Sequence, residues 1–202
     1  MKFQIVSDSS CDLGREEMAR LGVTIVSYYV AFDDEVYYRE ERDIPTHDFY
    51  QMMADRPGVF PKTSMPTPED YLEAFRPLAA QGAPILCICL NAKFSGSYQT
   101  ARNAAGELRE EYPGAQVRVL DSTLATVLQG MLVEEAAALR DADYSLEEAF
   151  QALEALPETG RIFFTTNDLE YLRHGGRIGR AAAATGALLK VKPLIGYKDA
   201  GL

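Results

Sequence analysis

The chain has 202 residues, 47% of them hydrophobic and 25% charged, enough to bury a full core as an ordinary globular protein. Its formal charge of −10 argues against nonspecific binding to nucleic acid or to an anionic membrane, which needs basic stripes to neutralise phosphates. No apolar run approaches the ~20 residues of a membrane span, and no apolar stretch with a small-residue cleavage site opens the chain, so a cytoplasmic protein without stable membrane insertion is expected.

Phe3–Val6 reads as a short strand that breaks into Ser7-Asp8-Ser9-Ser10, followed by a helix over 15–21 that stops at Gly22. Val23–Phe32 is rich in β-branched and aromatic residues and predicts a second strand, with a hairpin extension into Glu35–Arg39. A helix starts near Pro45-Thr46, with Phe49, Met52 and Met53 as its apolar stripe. Three prolines then keep Pro61–Pro68 extended, and Thr67 caps a helix with Pro68 at its first position. That cap leaves Thr63 and Ser64 unexplained.

Ile85–Leu90 is apolar at every position, as in a central strand buried on both faces. After it, Phe94-Ser95-Gly96-Ser97 opens a helix whose first-turn amides point back at the loop. Two hydroxyls, a glycine that admits close approach and partly positive amides suit an oxyanion without any Lys or Arg. Cys87 and Cys89, two apart on this strand, share a face and read as small buried hydrophobes. Val117–Leu120 predicts another strand, ending in Asp121-Ser122. The next helix is expected to bury Val127, Leu128, Met131, Leu132, Ala136 and Leu139, and a further helix is capped by Ser145 with Glu148. Arg161–Thr165 is the last clear strand before Thr166-Asn167-Asp168.

Four times an apolar strand ends in Ser, Thr or Asp and passes into a helix, so the fold class is α/β: three layers, α/β/α, around a mostly parallel sheet. Residues 1–172 form that domain, and 173–202 read as a linker and the beginning of a second, truncated α/β domain. Ligands of such sheets sit beyond the carboxyl ends of the strands. Thr63, Ser64, Ser95, Gly96 and Ser97 are therefore the candidate ligand contacts, with Asp8, Ser9, Ser10, Asp121 and Ser122 as rim candidates. The chain's charge is uneven: residues 161–192 sum to +4 and the remainder to −14. Within the basic segment Arg177 lies between glycines, where its planar fork can meet an anion or an acidic partner.

Three chemistries compete. The hydroxyls and amides can hold a small carboxylate or phosphate with no bond made on this chain. Ser95 or Ser97 can act as a nucleophile with His174 as base and Asp8, Asp121 or Asp168 orienting it, although the G-x-S-x-G elbow is missing. Nucleotide binding has neither of its glycine-rich fingerprints here, and His47 and His174 lack spaced metal-ligand partners.

Asp8-Ser9-Ser10, Thr63-Ser64-x-Pro66, Phe94-Ser95-Gly96-Ser97, Asp121-Ser122, Leu169-x-x-Leu172-x-x-Gly175-Gly176-Arg177-Ile178 and Lys190-x-Lys192-Pro193-Leu194-Ile195 occur in the order and spacing of one family, along nearly the entire chain. In this set the sequence resembles the DegV family of bacterial EDD-fold proteins. The resemblance implies a lipid-binding carrier without catalytic residues of its own: the fatty-acid-holding subunit of a two-component fatty acid kinase in phospholipid metabolism. It implies no cofactor, a long-chain fatty acid such as palmitate, stearate or oleate as ligand, and a fatty acid kinase catalytic subunit as partner. By the same resemblance Thr63 and Ser95 hold the carboxylate and Arg177 lies near the headgroup and the kinase-facing surface. Phe94, Leu188, Leu189, Ile195 and the long helix after Ser122 are candidate walls for the acyl chain. Family members continue for several dozen residues past the position of Leu202, so a chain ending there would be expected to expose an apolar face and to hold lipid weakly.

Overall fold

The computed structural model describes residues 1–33, 35–166, 170–176 and 194–196. In chain order the strands are β1 (Gln4–Asp8), β2 (Val23–Val26), β3 (Tyr29–Ala31), β4 (Tyr38–Arg39), β5 (Lys62–Ser64), β6 (Ile85–Cys89), β7 (Val117–Asp121), β8 (Phe163–Thr165) and β9 (Leu194–Gly196). The helices are α1 (Arg15–Leu21), α2 (Thr46–Asp55), α3 (Pro68–Ala80), α4 (Ser97–Glu111), α5 (Val127–Asp141), α6 (Leu146–Ala155) and α7 (Glu170–Gly175), with a 3-10 turn at Ser9–Cys11.

A parallel central sheet forms, as expected. β2, β1, β6 and β7 lie side by side in that order, all parallel. Because side chains alternate across a strand, Ile85, Cys87 and Cys89 face α3 and α4, packing with Tyr71, Phe75, Ala101 and Leu108. Leu86 and Ile88 face the other way, onto Leu132, Val133 and Ala136 of α5 and Phe150 and Leu153 of α6. The three layers follow from that alternation, and each fully buried Leu or Ile contributes roughly 1.5–3 kcal/mol. The caps read from the sequence, Thr67 and Ser145 with Glu148, also form; both are reciprocal capping boxes, Thr67 finding its partner in Asp70.

Three expectations need correction. Val23–Phe32 is not one strand: it breaks at Ser27-Tyr28, and β3 leaves the parallel sheet to pair antiparallel with β4 and β5. The break is tertiary in origin, since the Tyr28 amide donates to Ser9 Oγ and Ser27 Oγ donates to the Glu40 carbonyl. Nor does the 161–165 run join the parallel sheet; β8 pairs antiparallel with β9. Finally, α5 turns further than its apolar spacing suggests. Val127 and Met131 are exposed, while Gln129 and Gly130 are buried. Arg177, Ile178, Leu188, Leu189 and Asp168 lie outside the described residues, whereas Ile195 lies within β9.

Candidate functional site

The carboxyl end of β1 is closed by a buried charge. Asp8 is fully buried, and a buried carboxylate must be saturated with donors. Its Oδ2 accepts from the Leu90 amide at 2.9 Å and from Ser97 Oγ at 2.7 Å; its Oδ1 accepts from Gln129 Nε2 at 2.9 Å and from Ser10 Oγ. One side chain thus ties β1 to the end of β6, the first turn of α4 and the face of α5. The approach of α5 is close enough that a Cβ on Gly130 would stand 2.5 Å from the Cys11 carbonyl oxygen. Glycine is required there by space.

Against this frame sits Ser95. Tyr28 Oη donates to Ser95 Oγ at 2.7 Å, and the Ser97 amide donates to the same oxygen at 3.2 Å. A hydroxyl has two lone pairs and one hydrogen, so with both acceptor positions filled Ser95 is left as a donor. Tyr28 itself stays protonated: burial, then the nearby Asp8 carboxylate, push its phenol well above the usual range. Its backbone is pinned through Ser9, whose hydroxyl accepts from the Tyr28 amide at 2.9 Å and donates to Glu40 Oε2 at 2.6 Å. The first helix amide, at Ser97, is consumed by Ser95 rather than pointing free into the loop, so α4 acts on a ligand through the serine.

Ser95 opens onto a cavity of about 640 Å³, within the range of roughly 300–1,000 Å³ usual for small-molecule sites. Ser10, Asp12, Tyr28, Thr63 and Ser95 line its polar end, together with Thr126 at the start of α5. Leu90, Phe94, Ala125, Ile162, Phe164, Tyr171 and Leu172 supply the apolar part of its lining. The loop entering α5 is strained, with Thr123 at φ 51° and Thr126 at φ 53°, a region that β-branched residues avoid. Thr63 arrives on β5, paired with Val30 two residues beyond Tyr28, and Gly96 meets the same loop through Met65, whose Sδ would stand 2.8 Å from a Cβ on Gly96.

Of the residues singled out in the sequence, Ser10, Thr63 and Ser95 line this cavity. Ser97, Asp8 and Ser9 stand behind it in the hydrogen-bond frame, and Ser64 and Gly96 are exposed beside it. Asp121 accepts from the Ala92 and Thr123 amides, and buried Ser122 accepts from the Leu124 amide, so both serve the turn that follows β7. His174 is nowhere in this network: its ring stacks on Phe60 with centroids 3.7 Å apart, and Nδ1 lies 2.8 Å from the Glu170 carbonyl oxygen. No group of three metal-ligating side chains forms among the described residues. Tyr28, Gln129 and Glu40 were not legible as site residues. Gln129 carried the one available signal, a polar side chain amid an apolar helix run.

Residues 2–202 match the family model described as "Uncharacterised protein, DegV family". The chain belongs to the DegV family. A DegV domain-containing protein of Clostridium perfringens is 32% identical over 201 residues, covering 99% of this chain and 68% of that one. Among solved structures, a stearic acid-binding protein from Eubacterium ventriosum superimposes with a TM-score of 0.93 at 44% identity, over 98% of this chain and 68% of its own. A fatty-acid-binding DegV family protein from Thermus thermophilus gives a TM-score of 0.83 at 35% identity, over 100% of this chain and 69% of its own.

Proposed function

We propose that this DegV chain binds a long-chain fatty acid and, without chemistry of its own, presents the carboxylate to a partner kinase for conversion to acyl-phosphate in the cytoplasm. One observation carries the binding half. The Ser95 hydroxyl is held as an obligate donor by Tyr28 and the Ser97 amide at the polar end of an otherwise apolar cavity. Thr63, on the same cavity, is the second donor to the headgroup, with Ser64, Gly96 and Ser97 shaping the two loops. A carboxylate held by neutral hydroxyls keeps oxygen lone pairs available to a phosphoryl donor, which a bidentate arginine fork would occupy. Burying a C16 tail at ~0.8 kcal/mol per methylene brings roughly 10 kcal/mol before association costs, so the tail dominates affinity and the headgroup sets orientation.

The fatty-acid-binding relatives from Eubacterium ventriosum and Thermus thermophilus support the ligand class. The kinase half rests on the sequence resemblance, which also gives Arg177 its partner-facing role and makes 173–202 the approach to a lipid-covering domain. Denaturing the purified protein and extracting it into solvent should release a C14–C18 fatty acid detectable by mass spectrometry. Adding a fatty acid kinase and ATP should yield acyl-phosphate, reduced by Thr63→Ala and by Ser95→Ala in chains that remain folded. An empty extract, or unchanged turnover in both variants, refutes the reading; covalent labelling of Ser95 by a fluorophosphonate would replace it with a hydrolase.

A further inference from the structure

The two edges of the parallel sheet are charged in different ways. Along β2, Arg42 is matched by Glu73 at 3.3 Å and Arg39 by Asp70 at 3.7 Å. Along β7, a groove of about 420 Å³ between α4 and α6 gathers Arg102, Arg109 and Arg118. Glu147, 3.0 Å from Arg118 Nη1, is the only carboxylate paired with any of the three among the described residues. In a chain of charge −10 this local surplus is an exception. We propose that the β7 edge is a docking surface for an extended acidic segment of a partner protein, a role separate from the lipid cavity.

The backbone supplies half of the argument. Gln116 O accepts from the Ile85 amide and the Ser122 amide donates to Cys89 O, so the even-numbered residues of this stretch turn their polar groups to β6. By alternation Val117 and Val119 turn theirs outward. Arg109 Nη2 covers the Val117 carbonyl at 2.7 Å, and an added strand can take the Val119 amide and carbonyl, as in strand addition to other exposed edges. The side chains supply the other half and exclude two occupants. A second copy pairing edge to edge would bring like charges together, which costs several kcal/mol. A nucleotide base would need an open aromatic face, but Arg118 lies 3.8 Å above the Phe150 ring and Arg102 5.6 Å from that of Tyr98. What remains complementary is a backbone edge carrying carboxylates.

The test uses the full chain and a fluorescent peptide alternating glutamate with valine. Fluorescence anisotropy should show saturable binding that weakens at least about fivefold between about 50 and about 300 mM salt. Arg102→Glu, at an exposed position beside the Tyr98 ring, should weaken it about tenfold or more, while Arg42→Glu on the β2 edge changes it less than about twofold. On the unmutated chain, the peptide should slow hydrogen exchange at the Val119 amide. Absence of saturable binding, equal binding of the lysine-valine counterpart, equal loss in both variants, or displacement by ATP or pyrophosphate would each overturn the proposal. So would sedimentation showing a dimer that Arg102→Glu dissociates.

Discussion

Replacing Tyr28 with phenylalanine isolates the step on which carboxylate recognition depends. The substitution removes one oxygen and keeps the ring, so the wall of the cavity survives while Ser95 Oγ loses its 2.7 Å donor. Ser95 is then free to donate along that vacated direction or elsewhere, and its proton is no longer forced toward the ligand. A hydrogen bond of this kind has a net worth of about 0.5–1.5 kcal/mol, so the dissociation constant for a C16 or C18 acid should rise about 2- to 13-fold. Ser95→Ala, which deletes a bond to a charged group, should lose about 1.5–3 kcal/mol. Titration calorimetry on delipidated protein should be run with the acid and with the alcohol of the same length. Only the acid should discriminate between the parent chain and the Tyr28→Phe variant, because the alcohol buries the same tail without presenting an anion. Unchanged acid affinity, or equal losses for acid and alcohol, would refute the orientation argument.

Other expectations follow from the frame around the cavity. Gly130→Ala should destabilise by about 1–3 kcal/mol, seen as a lowered urea midpoint, and should weaken lipid retention as well, because the added Cβ drives the Ser9–Cys11 turn off α5. Burial raises the Glu40 carboxyl above its ordinary 4.5. The folded state therefore holds that proton more tightly, and Glu40 lowers stability as pH rises from 4.5 through its folded value. Glu40→Gln should remove this fall, so that the stability difference between variant and parent grows from pH 4.5 to neutrality; a constant difference would contradict the assignment. All three thiols are buried, with Cys11 pushed up to about 11 by desolvation. Iodoacetamide at about pH 8, below the ordinary thiol range, should thus modify none of them before unfolding, and rapid labelling of the native chain would show the turn to be open.

Much of the layer structure was legible because it rests on local chemistry. Ile85–Cys89 is buried at every residue, and its apolarity on both faces announced a central strand; Thr67 announced a helix start by the proline after it, and Ser145 by the carboxylate three residues on. Strand partners were not legible, since Phe163–Thr165 has the same composition whether it pairs in parallel with a core strand or antiparallel with 194–196. The candidate site divides the same way. Thr63, Ser10 and Ser95 stand out as hydroxyls in loops, whereas Tyr28 looks like one more β-forming aromatic until the chain breaks beside it. Gln129 becomes intelligible only once Asp8, 121 residues away in sequence, is seen to need its amide.

The absence of clearance between Gly130 and the Cys11 carbonyl fixes against α5 the turn that carries Ser10 and Asp12 into the cavity lining. A guest that is bulkier or bent cannot gain width on that side without prising α5 from the sheet. Width has to come from other parts of the lining, such as Phe164 on a three-residue strand and Leu172 on a helix of six residues. Discrimination between straight and kinked acyl chains should accordingly travel with residues 162–172 when segments are exchanged among relatives, and stay behind when residues 8–13 are exchanged.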